Sequence, residues 1–221
     1  MRPPACVCIP ARNEAEHIGL LIEALAQQTV QTFAVAICVN NSSDATHAQA
    51  VEATLRSNAG FALHIIQRVF EPELAHAGSA RRAAMDMGAD LLTPDGVLLS
   101  TDADCRPPAD WIEANLAHFS PERIIGGRIE LDELEADMAP AIFRLRCRFN
   151  AYWQAVRAIE DKIDPIAWDM PPRHGDHTGA SLALSVGLYR RAGGVPLVPT
   201  GEDRALVEAA IKAGGNLVHP N

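Results

Sequence analysis

The chain has 221 residues, of which 48% are hydrophobic and 21% are charged, and its mean hydropathy is close to zero. This composition is typical of an ordinary globular protein, and the lack of a Gly/Ser-rich or charged linker favours a single domain over residues 1–221. The net charge of -9 argues against a nucleic-acid partner, because general nucleic-acid binders are usually basic.

Strands alternate with helices in the first half of the chain. Apolar runs predict strands over residues 6–9, 33–39, 61–69 and 97–100, each of the first three followed by a helical pattern. This order is typical of βαβ units and of a mainly parallel sheet. The loops after residues 9, 39 and 100 should therefore leave the sheet at one edge, where a nucleotide would lie.

Helices over this half are predicted from apolar spacing and from capping residues. Asn13 and Glu16 fit a capping box at the start of the first helix. The second helix is expected to turn Ala48, Val51 and Leu55 inward. The third, over residues 78–88, is rich in small residues and carries Arg81 and Arg82.

The strand over 97–100 is followed at once by two carboxylates, Asp102 and Asp104, separated by one small residue. Paired carboxylates at the lip of a buried strand create a negative field that a cation neutralises. Mg²⁺ and Mn²⁺ are typically held by one or two carboxylates together with substrate phosphates. The pair therefore indicates a metal–diphosphate site. A solvated turn in which one aspartate caps the next helix is the alternative.

The second half begins with a short helix around Trp111 and a predicted strand over 123–131. A long helix over 140–159 follows, and its apolar spacing predicts burial of Ile142, Leu145, Phe149, Trp153 and Val156. Arg144 and Arg148 share one face of this helix. That face is either solvated or in contact with an anionic acceptor or a membrane surface.

Residues 161–178 have little periodicity, and loops of this length in compact domains are usually lids or binding loops. His174 and His177 within this loop are candidate ligands of substrate or metal. An apolar segment and a short helix come next, and Gly201 then opens a final helix with Glu202 and Asp203 in its first turn. Stabilisation of the helix dipole is the alternative role of those two acids.

Five motifs, in order along the chain, resemble those of family 2 glycosyltransferases, which have the GT-A fold. They are Ile9-Pro10-Ala11-Arg12-Asn13-Glu14, similar to the family's IPxxNE; Asn40-Asn41-Ser42-Ser43-Asp44-Ala45-Thr46, similar to its DDGSxDxT; Asp102-Ala103-Asp104, its DxD; His177-Thr178-Gly179-Ala180-Ser181, similar to its GAxxA acceptor region; and Gly201-Glu202-Asp203, its ED. The resemblance implies an α/β, Rossmann-like three-layer fold with a mainly parallel central sheet. Residues 1–105 would form the nucleotide-binding half and residues 106–221 the acceptor-binding half.

The resemblance also implies roles for single residues. Asp104, with Asp102, would bind the metal, and Asp203, beside Glu202, would be the catalytic base. The nucleotide-sugar contacts are assigned to Pro10, Ala11, Asn13, Glu14, Asn40, Ser42, Arg81, Asp102 and Ala103, and the acceptor contacts to His177, Thr178, Gly179 and Ala180. The chain departs from the family at Asn40 and Asn41, where acidic residues are usual. An asparagine can accept a hydrogen bond from a uracil N–H and can also donate one, so a UDP-sugar is the favoured donor and the base stays open.

The chemistry of these groups agrees with the resemblance. A metal at Asp104 would stabilise the charge that develops on the leaving diphosphate, and Asp203 would deprotonate an acceptor hydroxyl. We therefore predict a metal-dependent, inverting glycosyltransferase that uses Mn²⁺ or Mg²⁺. One alternative is a retaining GT-A transferase, in whose relatives a late histidine often completes the metal site, and His219 lies where one could. The others are a nucleotidyltransferase and a catalytically silent nucleotide-sugar binding module.

The cysteines and the N-terminus predict the compartment. None of the five cysteines forms a C-x-x-C pair, and no zinc partners lie near Cys6 and Cys8, so buried, reduced cysteines are expected. The sequence shows no signal-peptide core and no apolar run of the roughly 20 residues that a membrane span needs. The prediction is a cytoplasmic protein, with possible peripheral contact at the inner face of the membrane.

Overall fold

The computed structural model describes residues 3–131 and 140–220, and a seven-stranded sheet runs through this part of the chain. Its strands are β1 (Ala5–Ala11), β2 (Ala34–Asn40), β3 (Ala62–Arg68), β4 (Val97–Ser100), β5 (Arg123–Gly126), β6 (Leu182–Ser185) and β7 (Asn216–Val218). They lie in the order β3-β2-β1-β4-β6-β5-β7, and only β6 is antiparallel to its neighbours among the described strands. The predicted α/β class with a mainly parallel sheet is confirmed.

Helices cover both faces of the sheet. They are α1 (Ile18–Ala26), α2 (Thr46–Arg56), α3 (Ala77–Asp90), α4 (Trp111–His118), α5 (Pro140–Ile163), α6 (Val186–Arg191) and α7 (Glu202–Lys212), with a 3₁₀ turn at Pro72–Leu74. Successive residues of a strand point to opposite faces, so Val7 and Ile9 pack with α1, α2 and α4, whereas Cys6 and Cys8 pack with α3, α6 and α7. The predicted three layers are confirmed.

The polar loops that carry the predicted motifs leave the sheet at one edge. Parallel β1 and β2 end at Ala11 and Asn40, and Ser100 at the end of β4 lies beside Cys8 of β1. Because β1 is central between β2 and β4, the loops after these three strands are neighbours. This placement follows from the parallel topology and brings the first three motifs together.

Two details of the first helices differ from the prediction. Asn13 does not cap α1. The residue before this helix is His17, and its side chain forms no capping hydrogen bond. The side chain of Asn13 instead accepts a hydrogen bond from the loop after β2. The prediction for the inward face of α2 is also wrong. Val51 and Leu55 are exposed, and the buried residues are Thr46, Ala50 and Ala53. Small residues allow close packing here: a Cβ built on Gly19 of α1 would lie 3.9 Å from that of Ala53.

The second half contains two further corrections. β5 ends at Gly126, so the predicted strand over 123–131 is too long. α5 is longer than predicted and none of its residues is buried, which makes the predicted burial of its apolar residues wrong. Ile142, Leu145, Phe149 and Trp153 are exposed, and Val156 is half-buried. Periodicity identified the helix but not a partner for its apolar face, because no described element covers that face completely.

The cysteines are all free, and Cys6, Cys8 and Cys38 are buried. Burial raises the pKa of the Cys8 thiol well above its ordinary value, which keeps this thiol protonated. The predicted burial is wrong for Cys147, which is exposed on α5.

In the described part of the chain, no helix has both the length and the apolar character needed to cross a bilayer. Strands from both halves of the sequence share the sheet. The single domain and its division near residue 105 stay predictions.

Gly88→Ala is expected to destabilise the protein, although alanine normally favours a helix by about 1 kcal/mol. A Cβ at Gly88 would lie 2.7 Å from Sγ of Cys8 and 3.1 Å from Sγ of Cys6, so α3 must move away from the sheet. Overpacking of this kind typically costs about 1–3 kcal/mol. Urea denaturation would measure the loss, and the double variant Gly88→Ala/Cys8→Ala should recover most of it. A Gly88→Ala variant as stable as the native protein would contradict this packing.

Candidate active site

The loops after β1 and β2 are tied together by hydrogen bonds to side chains. The N–H of Asn13 donates to Oγ of Ser42 at 3.0 Å, and Oδ1 of Asn13 accepts from the N–H of Ser43 at 2.8 Å. The N–H of Glu14 donates to Oγ1 of Thr46 at 2.8 Å. Asn13 adopts a left-handed φ of 56°, which asparagine tolerates better than most residues. The first two motifs thus form one fixed edge.

A cavity of about 420 Å³ lies at this edge of the sheet, and we call it the sheet-edge cavity. It is lined by Pro10, Arg12, Glu14, Asn40, His76, Ala77, Arg81, Asp102, Ala103, Asp104, Glu202 and Asp203. The acidic pair after β4 and the acidic pair that opens α7 therefore face the same space. Residues from both halves of the chain build this one cavity.

Arg81, on α3, links the walls of the sheet-edge cavity. Its Nη2 donates to Oδ1 of Asp102 at 2.7 Å, and its Nε donates to Oε1 of Glu202 at 3.2 Å. Its Nη1 donates to Oγ of Ser100 at 2.6 Å and to the carbonyl oxygen of Gly179 at 3.0 Å. One guanidinium therefore fixes the end of β4, the acceptor-region motif and the start of α7.

The sheet-edge cavity carries more negative than positive charge. Burial opposes the charge of Arg81, whose side chain is 4% exposed, but Asp102 and Glu202 raise its pKa above the ordinary value. The lining holds five carboxylates and two guanidinium groups. An anion such as a diphosphate could enter this cavity only together with a cation.

Asp102, Asp104 and Cys105 form a group whose ligand atoms lie within 4.8 Å of one another, the one such cluster in residues 3–131 and 140–220. Burial raises the pKa of the Cys105 thiol, so this sulfur stays protonated and is a poor ligand. Arg81 takes Oδ1 of Asp102 and leaves the other carboxylate oxygen open to a ligand. Carboxylate oxygens suit Mg²⁺ or Mn²⁺, so the donor set fits the hard cation expected from the sequence.

Asp203 is half-buried and held in one orientation. Its Oδ2 accepts from the N–H of Gly179 at 2.8 Å, and its Oδ1 accepts from the N–H of Arg204 at 2.7 Å. Glu202 differs, because its buried carboxylate is paired with Arg81. Of the two acids that open α7, Asp203 has the carboxylate better placed to meet a substrate.

Asn40 is buried at the end of β2, and its Nδ2 has no hydrogen-bond partner in the described structure. A buried amide without a partner costs free energy, and such groups in native proteins usually need an explanation. Since Asn40 lines the sheet-edge cavity, its amide is placed to donate to a ligand.

Three histidines of the second half lie together. Nδ1 of His219 is 2.7 Å from Oδ2 of the buried Asp169, and Nε2 of His219 is 3.5 Å from Nδ1 of His177. Nε2 of His174 lies 3.1 Å from the carbonyl oxygen of Pro220. Both ring nitrogens of His219 face these partners, and His219 is not in the Asp102–Asp104 group, so the geometry does not support its role as a metal ligand.

The other predicted site residues do not line the sheet-edge cavity. Asn13 and Ser42 hold the loops together rather than line the cavity, and Ala11 is buried at the end of β1. Gly179 contacts Arg81 and Asp203, whereas His177 lines a second cavity beside α5. Thr178 and Ala180 flank Gly179 and line neither cavity.

Three residues of the sheet-edge lining are not among the predicted site residues: Arg12, His76 and Ala77. Arg12 stands inside the first motif, so its position carried a signal. It donates to the carbonyl oxygen of Ala75 at 2.9 Å and joins the first loop to the segment before α3. His76 and Ala77 lie in no motif, and only the fold brings them to the cavity.

The chain belongs to Glycosyl transferase family 2, whose pattern it matches over residues 6–157. This match covers most of the chain and includes the first three motifs. No curated protein sequence matches the chain.

Solved structures share the GT-A fold. The mannosyltransferase PcManGT from Pyrobaculum calidifontis, in complex with GDP-Man and Mn²⁺, has a TM-score of 0.68 and 18% identity, covering 100% of this chain and 55% of that one. S. aureus TarS 1-349 in complex with UDP has a TM-score of 0.64 and 14% identity, covering 98% of this chain and 57% of the other. Glucosyl-3-phosphoglycerate synthase from Mycobacterium tuberculosis, in complex with phosphoglyceric acid, has a TM-score of 0.53 and 14% identity, covering 100% and 72%. The chain spans just over half the length of the first two.

The histidine cluster should make stability depend on pH. Burial lowers the pKa of His219 and of His174 below the ordinary value of 6.5. The unfolded chain therefore binds more protons than the folded protein below pH 6.5, so the stability present above that pH is lost as pH falls. Thermal unfolding between pH 8 and pH 5 should show this loss, and it should be smaller in His219→Asn. His118→Asn, at an exposed position of α4, is the control and should keep the native pH dependence. An equal loss in His219→Asn would contradict this assignment.

Proposed function

We propose that the chain is a metal-dependent glycosyltransferase that moves a sugar from a nucleotide-diphosphate sugar to an acceptor hydroxyl with inversion. One observation carries the proposal: the Asp102–Asp104 pair and Asp203 line one cavity in a chain of family 2. A cation-binding pair can hold the leaving group while a separate carboxylate activates the nucleophile. These are the two functions that a single displacement requires.

The charge of the sheet-edge cavity supports the metal. Asp104 and the free oxygen of Asp102 would hold Mn²⁺ or Mg²⁺, and the PcManGT structure contains Mn²⁺ with its nucleotide sugar. When bound, this ion would supply positive charge where the departing diphosphate becomes more negative. Arg81 would keep Asp102 in the orientation that this ligand set needs, because their hydrogen bond is short and charge-assisted.

Asp203 is the proposed base. The N–H of Gly179 holds its carboxylate, so an acceptor hydroxyl could approach an oxygen of fixed direction. Removal of the hydroxyl proton by Asp203 would let the oxygen attack the sugar carbon from the side opposite the diphosphate. Glu202 would act as a positioning residue through its ion pair with Arg81.

Asn40 is the proposed contact to the nucleobase. Its unpartnered Nδ2 would donate to a base carbonyl, and its Oδ1 could accept from a base N–H. Uracil presents both groups side by side, which keeps a UDP-sugar as the favoured donor. Guanine presents them too, and the neighbouring structures hold UDP and GDP-Man.

The other candidate functions give different outcomes. A retaining transferase would yield the opposite anomer, and a silent binding module would bind the nucleotide without turnover. The cytoplasmic location and the peripheral membrane contact stay predictions.

Nucleotide binding should require both the metal and Asp104. UDP with Mn²⁺ should raise the melting temperature, since a ligand at 100 times its Kd adds about 2.7 kcal/mol of stability. EDTA or Asp104→Asn should remove this increase, because the diphosphate would then meet the carboxylates without a cation. GDP and dTDP in the same assay would identify the base. Asp95→Asn, in an exposed turn before β4, is the control. Full stabilisation by the nucleotide in EDTA would exclude the metal role.

Asp203→Asn should abolish turnover without affecting donor binding. Asparagine can still accept from the N–H of Gly179 but cannot take a proton, so release of UDP from a UDP-sugar should fall about 10²–10⁴-fold. The stabilisation by UDP and Mn²⁺ should stay at its native value. Glu208→Gln, exposed on α7, serves as the matched control. Unchanged release by Asp203→Asn would refute Asp203 as the base, and the anomer of the product, read by NMR, would test inversion.

A further inference from the structure

A second cavity, of about 860 Å³, lies between α5 and the loop over 171–177, and we call it the α5 cavity. It is about twice as large as the sheet-edge cavity. The residues that matter for its chemistry are Phe149, Trp153, Arg157, Lys162, His177 and Arg204. Part of its lining comes from the loop over 161–178, which the sequence predicts to be a lid or binding loop and which contains His174 and His177.

The α5 cavity has more positive than negative charge, the reverse of the sheet-edge cavity. Its lining includes five arginines and lysines and two carboxylates. Arg128 pairs with Glu130, and Arg173 pairs with Asp161. Among residues 3–131 and 140–220, no ion pair forms at Arg157, Lys162 or Arg204. In a chain of net charge -9, this surplus favours an anionic occupant.

Arg157 is held in place although it has no carboxylate partner. Its Cζ lies 5.6 Å from the centre of the Trp153 ring. Arg157 also packs against Gly175, where a Cβ would lie 2.0 Å from Nε of Arg157. Gly175 also has a φ of +81°, which favours glycine. The indole and the glycine backbone thus pack against a guanidinium whose N–H groups have no hydrogen-bond partner among residues 3–131 and 140–220 and can bind a ligand.

The wall beside Arg157 is aromatic. Phe149 and Trp153 are 54% and 38% exposed, and their ring centres lie 6.1 Å apart with the rings edge to face. Exposed aromatic side chains next to unpaired cations suit a ligand with an anionic group attached to a ring or an alkyl chain.

Two residues of the α5 lining are close in sequence to the proposed base or to its hydrogen-bond partner. Arg204, in its lining, directly follows Asp203. His177, also in its lining, lies two residues before Gly179, whose N–H holds Asp203. A molecule in this cavity could therefore direct a hydroxyl towards Asp203.

We infer that the α5 cavity binds the acceptor, and that this acceptor carries a phosphate or carboxylate joined to a ring or alkyl chain. The inference rests on the proposed function, because it names the acceptor class of the same reaction. Arg157 and Lys162 bind the anionic group, and Phe149 and Trp153 contact the apolar part.

Titration calorimetry with octyl phosphate, below its micellar concentration, tests this inference. Octyl phosphate should bind at least tenfold more tightly than inorganic phosphate or octanol, because only it offers both parts. Arg157→Gln and Lys162→Gln should each weaken binding about tenfold or more, as expected for a lost charge-assisted hydrogen bond. Gly175→Ala should weaken it too, since it displaces Arg157 while keeping every charge. Arg190→Gln, exposed on α6 and outside both cavities, is the control.

Equal binding of the three probes, or native affinity in Arg157→Gln, would overturn the inference. Vesicles of phosphatidylcholine with 20% phosphatidic acid distinguish a lipid phosphate from a soluble phosphate. If the native protein binds the vesicles and Arg157→Gln abolishes this binding, the ligand is a lipid phosphate. If the native protein binds octyl phosphate but not the vesicles, the ligand is a soluble phosphate. Stabilisation by UDP and Mn²⁺ is measured in every variant. If the native protein binds UDP with Mn²⁺ but does not bind octyl phosphate, the acceptor site alone is refuted. If the native protein does not bind the nucleotide, the proposed function is refuted.

Discussion

The ion pairs of Arg81 are the interaction on which the site depends. A guanidinium that is almost fully buried is tolerated only because carboxylates and oxygen acceptors surround it, and here they come from β4, the loop before β6 and α7. The fit leaves no space for a side chain at Gly179, where a Cβ would lie 2.3 Å from Cζ of Arg81. Loss of Arg81 would leave Asp102 and Glu202 without their partner, so the motifs of both halves depend on one side chain.

This arrangement gives two adjacent acids different surroundings. Glu202 is buried against Arg81 and balances its charge, whereas Asp203, one residue later on the first turn of α7, is half-buried and bonded to a backbone N–H. Adjacent helical residues point in different directions. A pair of acids at a helix start can therefore supply one structural and one chemical group.

Much of the fold followed from local patterns. The strand over 97–100 was predicted with its observed bounds, because three apolar residues and Ser100 are followed by a polar loop. The parallel topology then placed Asp102 near Asn40. Contacts between distant elements could not be predicted. Glu202, a partner of Arg81, lies far along the chain. The face of α2 that packs is set by the contact of Ala53 with Gly19 of α1. The exposure of α5 is set by the elements around it and not by its own sequence pattern. Periodicity identifies a helix but does not identify its neighbour.

The sheet-edge cavity, which Asp203 lines, and the α5 cavity, which Arg204 lines, have opposite charge. This difference would sort the substrates of the proposed reaction. A nucleotide diphosphate would enter the carboxylate-rich sheet-edge cavity because it brings a divalent cation with it, and an acceptor anion without a cation would be repelled there. The α5 cavity contains cations that form no ion pair within residues 3–131 and 140–220, and Arg157 packs against Trp153 and Gly175. This cavity would repel the metal that the diphosphate needs. Each substrate would thus be excluded from the other's cavity by charge as well as by shape. The hydroxyl and the sugar carbon would then meet beside Asp203, whose neighbour Arg204 lines the α5 cavity.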